Sequence, residues 1–454
     1  MERRRATFVA GLAGWILTVP IGLPQLAVAG AQCDEPVTRR VSVSDDEVEG
    51  TRDSALPSIS GDGRFVAFMS KAPNLVAGDD NRNLDVFVRD RLDGTTEIVS
   101  VSTSGEIGNA ASLAPAISRN GRFVAFNSEA SNFVPGDIDP GQEGSLEVFV
   151  HDRDTGVTER VAVDSNEDYV PAPSFAADVS ASGRYVAFTA AAALAPDDEN
   201  TSFDVYVRDR DAGTTDLVSA PASGPHFEMP SMFPAISGNG RFVTFDSSQP
   251  GLVPNDTNAW NDVFVVDRTA DTIERVSVDS DGGQGRRGST EPEISRDGRF
   301  VVFMSEAPDL VWRDSNGAVG DVFLHDRQTA RTMLVSRSTK GRQSPEVSGG
   351  PSVSDDGTRI AFISPGGKLV AGDTNEAWDV FVRDRDAHVT ERVSVGPGGR
   401  QALGNDEPFW AAAISGDGAS VAFESTAGNL VPHDDNGRAD VFVFGRPPAC
   451  GAGG

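Results

Sequence analysis

The sequence predicts an all-β protein: a seven-bladed β-propeller of four-stranded antiparallel blades, its ring closed by the N-terminal strand completing the last blade. Three observations predict it. The word "DVFVRDR" at Asp85–Arg91 returns unchanged at Asp379–Arg385, with worn copies starting at Glu147, Asp204, Asp262, Asp321 and Asp440. A block before it, "PSISGDGRFVAFMS" in its best-preserved form, also recurs. Its markers Ile59, Ile117, Val179, Ile236, Ile294, Val353 and Ile414 lie 58, 62, 57, 58, 59 and 61 residues apart. After the seventh copy no fourth strand follows, whereas "TRRVSVS" at Thr38–Ser44 matches "TERVSVG" at Thr390–Gly396. A fixed period of this length marks a repeat architecture, and four-stranded units repeated around a ring make a propeller.

Within each unit, "PSIS" reads as the first strand, "RFVAFMS" as the second, "DVFVRDR" as the third and "TEIVSVS" as the fourth. All are rich in Val, Ile and Phe and bounded by Gly, Asp, Asn and Pro. Apolar residues at consecutive positions suit strands covered on both faces, as when sheets stack on neighbouring sheets. The blades are expected near 57–102, 115–164, 177–221, 234–279, 292–337, 351–396 and 412–446, the last with 38–44, within a propeller spanning 32–450 and a tail at 451–454.

Residues 1–31 read as an export signal: "MERRR", an apolar run, then small residues at Ala29 and Ala31. Gln32 before Cys33 does not fit a lipid-attachment site, and no later apolar run is long enough to span a bilayer. The mature chain is expected in the periplasm or outside the cell, without a membrane span. Cys33 and Cys450 fall at one corner of the closing blade, so an exported chain is expected to join them in a disulfide.

Net charge is −29, and only three of the 39 basic residues are Lys. Such a surface repels nucleic acid and anionic lipid and admits cations or basic partners. A monomer is expected.

The repeat "SGDGRFVAF" followed by "DVFVRD" resembles that of TolB-type propellers, over nearly all of residues 37–446. The resemblance implies a periplasmic or secreted propeller. It departs in lacking the turn proline, in longer loops, and in leaving no room for the small α/β domain that TolB carries.

First-to-second and third-to-fourth turns are tight, whereas the other two connections are long and emerge on the opposite face, where function usually sits. The Asp and Arg of "VRDR" at the tight-turn face are read as turn caps and blade-to-blade ion pairs. On the long-loop face, Asp-x-Asn-x-x-x-Asp leads into the third strand. It comprises Asp79, Asn81 and Asp85; Asp198, Asn200 and Asp204; Asp256, Asn258 and Asp262; Asp373, Asn375 and Asp379; Asp434, Asn436 and Asp440. Blade 5 stretches it (Asp314, Asn316, Asp321), and blade 2 breaks it with Asp137, Asp139 and Glu147. Crowded hard oxygen donors in a short loop are suited to structural Ca²⁺, although Asp and Asn also cap turns without any ion.

Trp260, Trp312, Trp378 and Trp410, with His226 and His433, fall in the same long loops and form a candidate binding surface for a protein, peptide or glycan, most simply a cationic one. No GxSxG elbow occurs. The expectation is therefore a non-enzymatic binding or scaffold propeller. Two alternatives stand beside it: a propeller lyase or hydrolase with a site in the central funnel, and a calcium-stabilised structural surface protein.

Overall fold

The computed structural model describes residues 36–134, 146–221, 227–404 and 412–445. Seven four-stranded antiparallel sheets form the ring, and blade 1 sets the pattern: Ser54–Ile59, Phe65–Ser70, Asp85–Asp90 and Thr95–Ile98, paired in chain order. The last sheet comprises Ala412–Ile414, Ser420–Ser425 and Asp440–Gly445, with Val37–Arg40 as its fourth strand. Val37 pairs with Gly445 and Arg40 with Phe442, so the two ends of the chain lock one blade. Among the described residues no helix is long and apolar enough to cross a membrane.

The third strand of blade 1 is buried along its whole length, as the unbroken apolar run requires. The core lies between blades. One cluster joins Val86 and Val88 of blade 1 to Val124, Phe126 and Phe149 of blade 2, and six others repeat the arrangement around the ring. Inside each blade an aromatic of the second strand faces one of the third, as in Phe68–Phe87 (centroids 5.9 Å) and Phe423–Phe442 (5.9 Å). Such pairs add about 0.5–1.5 kcal/mol beyond the area they bury.

Two strands differ from the sequence expectation. The fourth ends at Ile98 because the Val86 amide then donates to the Ser100 hydroxyl (3.1 Å), which replaces a backbone acceptor and donates in turn to Asp85 Oδ1 (2.8 Å). The first begins at Ser54, three residues before Pro57, and holds a bulge. The residue there has positive φ in six blades: Leu56, Ala114, Ala176, Phe233, Glu291 and Gly350. Only the last is the residue type that favours this conformation.

The repeated "DR" pair acts at the seams. Its Asp holds an arginine of the same blade, as in Arg122 Nη2 to Asp152 Oδ2 (2.6 Å). Its Arg reaches the preceding blade: Arg153 lies over the Phe65 ring (4.3 Å) and bonds Glu97 (2.5 Å). Arg327 does the same with Phe242 (4.3 Å) and Glu274 (2.5 Å).

Candidate functional site

Each blade builds a polar pocket where the long loop enters the third strand. In every blade but the second, which has Ala162 there, the strand's first carboxylate is fixed from below by a serine two residues past the fourth strand: Ser100 to Asp85, Ser277 to Asp262 (2.6 Å), Ser336 to Asp321 (2.6 Å). The loop asparagine closes the turn. Asn81 Nδ2 donates to Asp85 Oδ2 (2.9 Å) and to the Gly108 carbonyl (2.9 Å). Asn258, Asn316, Asn375 and Asn436 reach their own third-strand aspartates in the same way, while Asn200 donates to the Phe227 carbonyl (3.3 Å).

What fills the pocket differs by blade, and the sequence reading missed it. In blade 4, Arg275 Nη1 lies 3.3 Å from Asp256 and 3.4 Å from Asp262. In blade 6, Arg392 Nη1 lies 3.2 Å from both Asp373 and Asp379. In blade 7, Arg40 Nη1 lies 3.4 Å from Asp434 and 3.2 Å from Asp440, and also contacts Glu49. These arginines come from the fourth strand and supply a fixed positive charge between the carboxylates. Blade 5 uses a neutral donor: Gln343 Nε2 reaches Asp314 (2.8 Å) and Asp321 (2.7 Å). In blade 3 the Tyr206 hydroxyl donates to Asp198, and Asp204 is held by Ser219. In blade 2, Arg160 bonds Glu147 (2.7 Å) and Tyr169 donates to the same carboxylate. Its Asp137 and Asp139 lie outside the described residues.

Blade 1 presents Ile98 and Ile107 at the equivalent positions, and among the described residues no side-chain cation pairs with Asp79 or Asp85. Burial pushes Asp85 up to about 6, opposed by hydrogen bonds from Ser100 and Asn81, and burial also raises Asp79. Asp373 and Asp434 are likewise pushed up to about 6 by burial, despite their arginines. In blade 7, Glu49, Asp434 and Asp440 lie close enough to hold one metal ion, and this triad carries two negative charges beyond Arg40.

The aromatic residues separate. Trp378 is half-buried against the cluster between blades 6 and 7, whereas Trp260 and Trp312 are 46% and 91% exposed. His433 is exposed in a left-handed turn (φ 60°), where its carbonyl accepts from Arg40 (3.0 Å). Trp410, His226, Cys33 and Cys450 lie outside the described residues. His151 and His325 are buried, each bonded through Nδ1 to a threonine hydroxyl at 2.8 Å, and burial lowers both.

The first strands line the central channel, where a cavity of about 120 Å³ remains. One of its carboxylates clamps blades together. Asp178 accepts from the Ile236 amide of the next blade (2.7 Å), as Ser58 accepts from Ile117 (3.1 Å). Glu293 faces the lumen, its carboxyl raised by the surrounding protein and then by Asp178, while Arg119 opposes the shift. At the tight-turn end Arg119 pairs with Asp355, and Arg296 stands 3.8 Å from it. At the long-loop end Asp246 is buried, pushed up to about 7 by burial and by the charge of Glu291, whose backbone amide opposes the shift.

No protein-family model matches the sequence, and no curated protein matches it. Solved structures do resemble it. An oligogalacturonate lyase in complex with manganese is 11% identical, with 91% of this chain and 94% of that one covered, at TM-score 0.52. An oligogalacturonate lyase from Vibrio parahaemolyticus is 12% identical, with 90% and 97% covered, at TM-score 0.50. TolB from Acinetobacter baumannii is 15% identical at TM-score 0.41; 73% of this chain is covered, and it spans 63% of that one. The fold is a seven-bladed β-propeller. At such identities the likeness is one of fold, and fold does not carry function with it.

Proposed function

We propose that the chain is an exported, non-enzymatic binding scaffold that holds a cationic peptide or protein segment on the long-loop face of blades 3 and 4. One observation carries this reading. Phe227, Met229, Phe233 and Trp260 are 39%, 40%, 46% and 46% exposed, and all belong to the blade 3–4 connection, the start of the next inner strand, or the blade 4 long loop. Exposed aromatics, with Glu228 next to Phe227 in the chain, offer apolar anchors and negative charge to one partner. In the channel, by contrast, Asp178 is engaged in joining blades. The account takes the scaffold as a monomer closed by a Cys33–Cys450 disulfide.

The calcium part of this reading is best supported in blade 1, which has two raised aspartates and no arginine between them. In blades 4, 6 and 7 an ion would have to displace a guanidinium, and blade 7 alone of these adds a third carboxylate among the described residues.

The second reading, an enzyme at the funnel, is favoured by two carboxyls: Asp246, buried, held near neutrality and with Oδ2 lacking a hydrogen-bond partner, and Glu293, pushed up to about 8 beside the central cavity.

The binding reading is tested by presenting immobilised arginine- and lysine-rich peptides to the mature protein and to its Trp260→Ala and Phe233→Ala variants. Capture weakened about tenfold or more by either change supports it. Capture equal in all three, or none, refutes it.

A further inference from the structure

The repeats provide an internal control, because a side chain required by the fold recurs at its position in the other blades. Blade 5 departs from its sisters along one edge. Trp312 stands where blades 1, 4, 6 and 7 have Ala77, Pro254, Ala371 and Pro432, and Arg313 where they have Gly78, Asn255, Gly372 and His433. Arg313 also holds the left-handed conformation (φ 81°) that suits those smaller residues. Arg331 replaces Thr95, Val157, Thr214, Thr272 and Val389. Arg337 replaces Val43, Val101, Val163, Val278 and Val395, and Arg342 replaces Glu106 and Asp168 of blades 1 and 2.

The seam bracket is broken at the same edge. Arg153, Arg210, Arg268 and Arg327 each pair with a carboxylate of the preceding blade (Glu97, Glu159, Asp216 and Glu274). Arg385 keeps the ring contact, 4.3 Å over Phe300, but Met333 occupies the place of that acid. Its remaining anionic neighbour is Asp386, at 3.5 Å.

Together these side chains line a groove of about 1330 Å³ running from the Trp312 loop along the outer strand Arg331–Leu334 to the blade 6 hairpin. Lys368 adds a further cation, and Asp386 is the one carboxylate among the lining residues. Arg313, Arg331, Arg337, Arg342 and Lys368 form no ion pair among the described residues, and Arg337 Nε is buried without a hydrogen-bond partner. A chain of net charge −29 thus concentrates unpaired cations in one trough.

We propose that this seam between blades 5 and 6 binds an anionic glycan, a chain of acidic sugars, at a site separate from the blade 3–4 face. Guanidinium groups match carboxylate and sulfate oxygens with paired N–H donors. The Trp312 indole offers a flat apolar surface for the C–H face of a sugar ring, which an acidic peptide lacks as a regular feature. The proposal does not depend on the cationic-partner reading.

The test is equilibrium binding of a uronic-acid hexasaccharide to the full mature chain, with a sulfated hexasaccharide and a hexaglutamate peptide in parallel. Binding to one or both glycans that weakens with salt is expected. Arg331→Glu combined with Arg342→Glu should weaken it at least tenfold. Met333→Glu restores the acid found at the other seams, so it should leave the thermal midpoint equal or higher while weakening glycan binding several-fold. Trp312→Ala should weaken the glycans more than hexaglutamate. Tighter binding of hexaglutamate than of either glycan would overturn the proposal in favour of an acidic peptide. Indifference to both charge variants, or no binding of any probe at millimolar concentration, would also overturn it.

Discussion

The α-carbon of Gly121 lies against the ring of Phe65 across the seam between blades 1 and 2: a Cβ there would stand 2.1 Å from Phe65 Cδ2. The same meeting recurs for Gly183 with Phe123 and Gly240 with Tyr185, each at 2.0 Å. The glycine of the "GR" turn is thus fixed twice, by its positive φ of 73° and by the neighbouring blade. Gly156 has a similar φ (71°) but open space around it. Gly156→Ala should therefore cost about 1–2 kcal/mol, the strain of a left-handed residue. Gly121→Ala should cost about 3 kcal/mol or more once overpacking is added. Urea midpoints of the two variants check this, and equal losses would contradict it.

Arg392 bridges Asp373 and Asp379, with all three side chains less than a tenth exposed. Arg392→Met leaves two buried carboxylates facing each other and should destabilise by about 3–5 kcal/mol. It should also open an oxygen-lined pocket for a divalent ion. Millimolar Ca²⁺ should then raise the variant's thermal midpoint more than the parent's, since an ion binding only the native state adds stability by mass action. An equal response in the two proteins would mean that the guanidinium does not hold an ion's place.

Asp246 gives a pH signature. Its folded value, pushed up to about 7 by burial, lies above the ordinary aspartate value, so the native state retains a proton that the unfolded chain releases. The associated stability is full below about pH 4 and is lost as pH rises towards 7. Asp246→Asn removes this dependence. Relative to the parent, the variant should gain stability between pH 5 and pH 8, and parallel stability curves would show that the carboxyl titrates normally.

Strand pairing places Val37 opposite Gly445, with Cys33 four residues before the first and Cys450 five after the second. Both cysteines lie outside the described residues, and the proposed scaffold joins them in a disulfide. The oxidised mature protein should show no titratable thiol, and reduction should lower stability by about 3–5 kcal/mol. Two free thiols under native conditions would contradict this.

The ring and its closure were legible because they are written seven times, so each worn copy is corrected by its sisters. The seam bracket was legible in part: "DR" announces itself, but its Glu97 partner becomes visible only when adjacent blades are set side by side. The strained bulge was not legible, since Leu56, Ala114, Phe233 and Glu291 include no residue type that favours positive φ, and their backbone is imposed by neighbouring strands. The acidic loops were legible as loops, whereas their neutralisation by Arg275, Arg392 and Arg40 was not. Arg275 and Arg392 each lie thirteen residues beyond their strand aspartate, and Arg40 lies at the other end of the chain.

The central claim is that this propeller holds its partner unchanged. Mass analysis tests it most directly: mature protein and a panel of basic peptides and glycans are incubated together, and every bound and unbound probe is then weighed. The account predicts bound probes of unaltered mass. Accumulation of a cleaved product that disappears in Asp246→Asn would contradict it and establish an enzyme at the funnel.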